Sequence, residues 1–205
     1  QNKVLFEPLE PRILLSSDLS CTAAADTALD ATLRLQKVDD VDTLQVVNNA
    51  DQSVMQSQAL ADTTAVVITG SGDADRLTVD FSNPFSIPIT FTDASTDDSD
   101  TLQILGKDNT WNINGPNAGT VGDVTFSGIE NLMGAADNQD TFIFYEGGKL
   151  SGLLEGGAGA YDSLVLDGGT AASVIYDLTG TGSGRVTTDG SVVEFAGMES
   201  ISDKT

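Results

Sequence analysis

The sequence predicts an all-β fold, a β-solenoid of the parallel β-helix or β-roll type, with a short extended and partly helical N-terminal arm. Three observations lead to this prediction: an acid excess dominated by Asp, short β-branched or aromatic segments between turn residues, and internal repetition. The 205 residues include 31 Asp and Glu against 9 Lys and Arg, so the formal net charge is −22. Asp, unlike Glu, favours turns because its short carboxylate bonds nearby backbone N–H groups.

The composition excludes several functional classes before any motif is considered. The chain contains no His, which excludes Ser–His and Cys–His catalysis as well as zinc or haem bound through His. Its one cysteine, Cys21, excludes an intramolecular disulfide framework and a zinc ribbon. The net charge repels nucleic acid phosphates, and no apolar run approaches the roughly 18 residues that span a bilayer. We therefore predict no nucleic-acid partner and no membrane span.

Residues 1–20 are predicted to form the N-terminal arm. Pro8 and Pro11 disfavour helix at the residues before them and so predict an extended chain. The apolar side chains around them, within residues 5–15, form a segment that can cap the following domain or dock on a neighbouring copy.

A seven-residue segment of the arm resembles the LEPR-XLL motif and matches it at every position. This motif is found near the N-termini of giant, repeat-rich bacterial surface or adhesin-like proteins. The resemblance implies that the chain is secreted, extracellular or on the bacterial cell surface, and it implies a sorting role for the motif beside the docking role. The matching residues are Leu9, Glu10, Pro11, Arg12, Ile13, Leu14 and Leu15.

Residues 21–60 are predicted to be a linker or cap that contains a short helix. Asp26 is a suitable N-cap residue, and Leu29, Leu33 and Leu35 fall near one helical face. After this helix the segment is ambiguous, because its valines are equally compatible with strand.

Residues 61–205 are predicted to form the repeat-built β-solenoid. Short apolar segments recur here at a spacing of roughly 10 to 15 residues, and each is bounded by turn residues, which predicts one strand per segment. The segments lie at residues 66–68, 77–81, 87–91, 102–105, 111–113, 124–126, 129–132, 142–144, 150–154, 164–166, 174–178, 192–195 and 198–201.

Internal repetition favours a solenoid over a β-sandwich, which remains the alternative fold. Residues 70–77 and 157–164 both read G-x-G-x-x-D-x-L. Residues 126–132 and 195–201 share the pattern F-[SA]-G-[IM]-E-[NS]-[LI]. Self-similar turns and strands along one chain are the signature of stacked coils. The second long repeat breaks off at Thr205, so we expect a solenoid that is incomplete at its C-terminus and belongs to a larger polypeptide.

Residues 156–164 resemble the glycine-rich nonapeptide of RTX (haemolysin-type) calcium-binding repeats, with Tyr161 as one inserted residue. True calcium rolls require tandem copies of this repeat. The copies in this chain are degenerate and are not in tandem. The resemblance implies structural Ca2+, the one cofactor that the sequence suggests. The alternative is that each Asp braces a turn without metal. The candidate ligands are Asp73, Asp75, Asp97, Asp98, Asp100, Asp137, Asp140 and Asp162.

Together these features predict a non-catalytic structural or adhesive module of a secreted bacterial surface protein, stiffened by calcium. Its expected partners are the rest of a larger polypeptide, neighbouring copies, and cell-surface or matrix components. Enzyme activity is not predicted, because the cations beyond residue 60 are few, scattered and outside any paired-Asp motif. The alternative function is a subunit of a self-assembling extracellular filament or sheath, in which the apolar arm docks on the neighbouring subunit.

Overall fold

The computed structural model describes residues 16–95 and 98–205, and this part of the chain folds into two β-sheets. No α-helix occurs among these residues, and their one helical turn is a 3-10 helix at Leu60–Asp62. The all-β prediction is therefore confirmed. Within the same residues, no helix is long and apolar enough to cross a membrane. The LEPR-XLL-like residues 9–15 and the candidate ligand Asp97 lie outside the described residues.

Sheet A contains nine strands and sheet B contains ten. The strands of sheet A are β1 (Ser17–Thr22), β5 (Thr63–Thr69), β7 (Ile89–Thr92), β9 (Asn109–Gly115), β10 (Ala118–Val121), β11 (Val124–Ser127), β13 (Asp140–Phe144), β15 (Ser163–Leu166) and β19 (Ser200–Asp203). The strands of sheet B are β2 (Asp30–Val38), β3 (Val41–Asn48), β4 (Val54–Ala59), β6 (Arg76–Asp80), β8 (Thr101–Leu105), β12 (Asn131–Met133), β14 (Leu153–Glu155), β16 (Val174–Gly180), β17 (Ser183–Thr188) and β18 (Ser191–Ala196).

The chain passes repeatedly from one sheet to the other. Along sheet A the strand order is β1-β5-β7-β11-β10-β9-β13-β15-β19, and along sheet B it is β16-β17-β18-β14-β12-β8-β6-β2-β3-β4. Neighbours that come from successive passes pair in parallel, as β5 does with β7 and β6 with β8. Antiparallel meanders interrupt this pattern at β2-β3-β4, β9-β10-β11 and β16-β17-β18.

Apolar side chains at matching positions stack between the two sheets. In sheet A, Trp111 stacks on Phe142 with ring centroids 5.2 Å apart and meets Phe126 edge-on at 6.4 Å. Aromatic pairs in such arrangements contribute about 0.5–1.5 kcal/mol beyond the area they bury. In sheet B one buried row crosses six parallel strands through Ala31, Leu77, Leu102, Leu132, Leu154 and Phe195. One contiguous core results from these rows.

The helix predicted within residues 21–60 is wrong, because Asp30–Val38 forms strand β2. The spacing of Leu29 and Leu33 fits one face of a helix. Four residues is also an even number, so the same spacing fits the alternation of a strand. Ala31, midway between the two leucines, is fully buried where β2 pairs with β6, and this pairing decides for the strand.

Asp39 and Asp40 form the two-residue turn that joins β2 to β3. Both have positive φ angles, 47° and 64°, and Val38 pairs with Val41 across the turn. Positive φ at both central residues is the mark of a type I′ hairpin turn, a conformation that Asp adopts more readily than most residues. The turn places β3 and β4 in sheet B, so the ambiguous segment that follows is strand.

Candidate functional site

Six acidic residues occupy equivalent corners where the chain enters a strand, and we name them the corner carboxylates. Each either precedes a strand by one residue or is its first residue. An apolar side chain two positions later packs in or against the core. The corner carboxylates form two rows, one beside each sheet. The first row contains Asp75, Asp100 and Glu130, and the second contains Asp140, Asp162 and Glu199.

In the first row, the carboxylate of each corner holds the backbone of the corner before it. The Leu29 N–H donates a hydrogen bond to the Asp75 carboxylate. The Asp75 N–H donates to Asp100 Oδ1 at 2.7 Å, and the Asp100 N–H donates to Glu130 Oε2 at 2.9 Å. The Ser71 N–H also donates to Asp75. This row therefore joins the starts of four neighbouring strands, β2, β6, β8 and β12.

The second row repeats this arrangement beside sheet A. The Asn109 N–H donates to Asp140 Oδ1 at 3.0 Å, and the Asp140 N–H donates to Asp162 Oδ1 at 2.8 Å. The Asp162 N–H donates to Glu199 Oε2 at 2.6 Å. Hydrogen bonds to a charged acceptor are shorter and stronger than neutral ones. The second row joins β9, β13, β15 and β19 in the same way.

Glycines provide the space that these carboxylates occupy. Gly70, Gly134 and Gly156 each precede a corner carboxylate by five or six residues. A Cβ atom at any of the three would overlap with that carboxylate. The physical role that the structure gives these three glycines is to let a buried carboxylate approach the backbone closely.

Glu130 and Glu199 are the two corner carboxylates that the sequence did not point to. Both occupy the same place in the repeated pattern at residues 126–132 and 195–201. A usable signal was present, because each precedes an apolar core residue by two positions, as the corner Asp residues do. The longer Glu side chain conceals this equivalence when only D-x-L segments are compared.

The four Asp residues among the corner carboxylates are buried acids, and none of them forms an ion pair with another described residue. Asp75, Asp100, Asp140 and Asp162 are at most 1% exposed. Burial raises the pKa of Asp140 and that of Asp162 above their ordinary value. Burial, helped by repulsion from neighbouring carboxylates, raises the pKa of Asp100 to about 7. The ion pairs formed by the described residues involve none of these four groups.

Two of the predicted calcium ligands, Asp98 and Asp100, come together with Asp93 between β7 and β8. One oxygen atom from each carboxylate lies within 4.8 Å of the other two. Asp93 was not predicted, and its signal is positional. The strands β5 and β7 are parallel neighbours, and Gly70 and Asp93 are the residues directly after them. The Asp93 carboxylate therefore lies beside a residue that has no side chain.

The other predicted ligands do not join this cluster. Asp73 and Asp137 are exposed. Asp75, Asp140 and Asp162 use their carboxylates to accept hydrogen bonds from backbone N–H groups. Within residues 16–95 and 98–205, no second group of three acidic or cysteine ligands comes equally close.

The raised pKa values predict that the protein loses stability as the pH rises. A carboxyl whose pKa is higher in the folded chain than in the unfolded chain favours folding while it is protonated. This contribution is complete below the unfolded value of 3.8 and is lost as the pH rises through the folded value, about 7 for Asp100. We expect the melting temperature in calcium-free buffer to fall by roughly 5 °C or more between pH 5 and pH 7.5.

The variants Asp100→Asn and Asp162→Asn provide the control for this pH dependence. Each removes one titrating group but keeps a side-chain oxygen that can accept the same backbone hydrogen bond. In both variants the melting temperature should depend less on pH than it does in the parent chain. An unchanged slope in both variants would assign the effect to the overall net charge of −22 instead.

No protein-family model matches this chain, and neither does any curated protein or solved structure. The two-sheet topology, the corner carboxylates and the Asp93 cluster are therefore the features from which a function can be inferred.

Proposed function

We propose that the chain is a β-solenoid that serves as a non-catalytic structural or adhesive module of a secreted bacterial surface protein. The observation that carries this proposal is the alternation of the chain between two sheets, with corner carboxylates joining successive passes. This arrangement gives most strands a hydrogen-bonded neighbour on both sides and leaves sheet edges only at the two ends.

The strand pairing supports a solenoid rather than a β-sandwich. From β5 to β9 the chain visits sheets A, B, A, B and A in turn. When the chain returns to a sheet, the new strand pairs in parallel with the strand of the previous pass, as β7 does with β5 and β8 with β6. Where the pass is the meander β9-β10-β11, its two outer strands pair in parallel with the passes on either side, β11 with β7 and β9 with β13. Greek-key sandwiches are instead built from antiparallel neighbours. Among the described residues, the antiparallel pairs are confined to the three meanders, which are insertions into a parallel pattern.

The spacing of the corner carboxylates supports the same proposal. Bonded corners lie 25 and 30 residues apart in the first row and 22 and 37 residues apart in the second. The two longer intervals contain the meanders β9-β10-β11 and β16-β17-β18. Coil length therefore varies where a hairpin is inserted, while the corners and the core rows stay in register. Such a stack is held by contacts between neighbouring coils.

Burial argues against acid–base catalysis by the corner carboxylates. Asp100 and Asp162 are 0% exposed, so their carboxyl groups cannot reach a substrate in this conformation. Perturbed pKa values often mark active sites, but ion networks and buried structural groups perturb them as well. Here burial is the main cause for both residues, which fits a structural role.

The location of the module is supported by sequence features. The LEPR-XLL resemblance at residues 9–15 points to an exported surface protein. The net charge of −22 favours solubility and keeps neighbouring molecules apart. Both features suit a module that works outside the cell among surface or matrix components.

Single-molecule extension between handles at the two ends of the chain tests this function. A stack of coils should lengthen in steps, each releasing between 22 and 37 residues, because each coil depends on its neighbours. Asp162→Ala should lower the force of the steps that separate β13 from β15. Asp73→Ala, at an exposed turn, is the control and should leave all forces unchanged. One all-or-none extension of the whole described fold would contradict the proposal.

A second function, assembly into an extracellular filament or sheath, is favoured by one observation at the ends of the sheets. The strand β16 is an edge strand of sheet B, and β19 is an edge strand of sheet A. In β16, Leu178 is 64% exposed and Tyr176 is 40% exposed, and both line a groove with Ile201 and Asp203 of β19. An exposed apolar edge strand can pair with a strand from another chain. The occupant we expect is the apolar segment within residues 5–15 of a neighbouring copy.

Sedimentation velocity separates the two functions. If the chain assembles, the intact protein should form large particles, and deletion of residues 1–15 or Leu178→Glu should leave monomers. Val41→Glu adds the same charge at an exposed position in β3, and it should not affect assembly. A monomer at every concentration would exclude the filament and leave the first function in place.

A further inference from the structure

Three carboxylates face one another in the connection from β7 in sheet A to β8 in sheet B. They belong to Asp93, Asp98 and Asp100, and one oxygen atom of each lies within 4.8 Å of the others. Oxygen atoms on opposite sides of a calcium ion, each about 2.3–2.6 Å from it, are separated by a similar distance. The cluster therefore has the dimensions of a site for a single ion.

Three oxygen atoms of this cluster are buried without a hydrogen-bond donor. Asp100 is fully buried, and its Oδ1 accepts the Asp75 N–H at 2.7 Å, whereas its Oδ2 accepts no hydrogen bond. Both carboxylate oxygens of Asp98 are also shielded from solvent and accept no hydrogen bond from the described residues. Buried polar atoms are almost always paired, so these oxygen atoms point to a positively charged ligand.

The described part of the chain does not supply that charge. None of its ion pairs involves these carboxylates. Burial, with repulsion from Asp93, Asp98 and Asp75, raises the pKa of Asp100 to about 7, and burial also raises the pKa of Asp93. Three carboxylates this close together, with no ion-pair partner among the described residues, favour a bound cation.

We propose that Asp93, Asp98 and Asp100 form a binding site for one calcium ion. Carboxylate oxygens are hard ligands, and the cluster contains neither nitrogen nor sulfur ligands, which favours calcium over zinc or copper. Its three ligands lie outside the glycine-rich residues 70–77 and 156–164, and Asp100 adjoins the first of these segments through the hydrogen bond from the Asp75 N–H. With the ion bound, the end of β7 and the start of β8 would be held together, so the site deepens the proposed structural function by stiffening one corner.

Isothermal titration of CaCl2 into the full chain, after metal removal, tests the site. Asp98→Asn should weaken calcium binding about tenfold or more, because it removes one ligand charge and none of the corner hydrogen bonds. Asp93→Asn is the second variant and should have a similar effect. Asp73→Asn removes an exposed carboxylate from the glycine-rich residues 70–77, and this matched control should bind calcium like the parent chain.

Circular dichroism of each variant confirms that the sheets are intact before binding is compared. Unchanged binding in both Asp98→Asn and Asp93→Asn would overturn the site, as would a loss of binding in Asp73→Asn alone. Absence of calcium binding up to about 10 mM, well above the range of weak extracellular sites, would overturn it as well. Stepwise extension in calcium-free buffer would still support the solenoid in that case, so failure of the site and failure of the proposed function are distinguishable.

Discussion

Asp162→Ala should lower the free energy of unfolding by about 1–3 kcal/mol at neutral pH, because it leaves a buried backbone donor without an acceptor. The Asp140 N–H donates to Asp162 Oδ1 at 2.8 Å, and both residues are 0% exposed. Water cannot replace the lost acceptor without opening the corner between β13 and β15. Urea unfolding followed by circular dichroism measures the change.

Asp162→Asn is the informative comparison for this prediction. Its side-chain oxygen can accept the same N–H, and it removes a charge that is opposed by burial and by repulsion from Asp140 and Glu199. We therefore expect a loss less than half that of Asp162→Ala. Equal losses in the two variants would mean that the buried charge, rather than the hydrogen bond, stabilises this corner.

Gly134→Ala should destabilise the protein by about 3 kcal/mol, since the added methyl group has no space. A Cβ atom at this position would overlap with Oδ2 of Asp140 on one side and with the carbonyl oxygen of Gly156 on the other. Gly156 follows β14, which pairs with β12 beside Gly134, so relief requires the ends of these two strands to separate. The melting temperature, measured beside urea unfolding, should fall by roughly 5 °C or more.

Gly72→Ala is the matched control for this steric effect. A Cβ atom at Gly72 would meet no atom within 4 Å, and the residue is exposed. The control should change the free energy of unfolding by less than about 0.5 kcal/mol. A similar loss in both variants would show that glycine flexibility, and not the close approach of Gly134 to Asp140 and Gly156, accounts for the result at Gly134.

The corner Asp residues could be predicted from sequence as a set, but their partners could not. A D-x-apolar spacing marks them because residues two apart lie on the same face of a strand. Apart from the Ser71 N–H, which is four residues before Asp75, the backbone N–H groups that donate to these carboxylates belong to residues 22 to 46 positions away. Local patterns carry no record of such a distance, which depends on the length of the hairpins inserted between two corners.

In the Asp93 cluster, too, some residues could be predicted from the sequence and one could not. Asp98 and Asp100 could be predicted because they lie together in an acidic turn. Asp93 is close to them in space because β7 ends in sheet A and β8 begins in sheet B, and the chain must turn between the two sheets. A carboxylate directly after a strand has no local feature that distinguishes it from a solvated one.

The all-β class of the described residues and the positions of most strands beyond residue 61 could be predicted from the sequence, because short alternating apolar segments between turn residues are a local property. Whether Asp30–Val38 is helix or strand depends on tertiary contacts, because the leucine spacing fits both. Tertiary contacts also determine which strands share a sheet and which carboxylates share a row. Strands form their hydrogen bonds with residues that are distant in sequence, so pairing with β6 makes β2 a strand. In the same way, the pairing of successive strands brings separate Asp turns together into continuous rows.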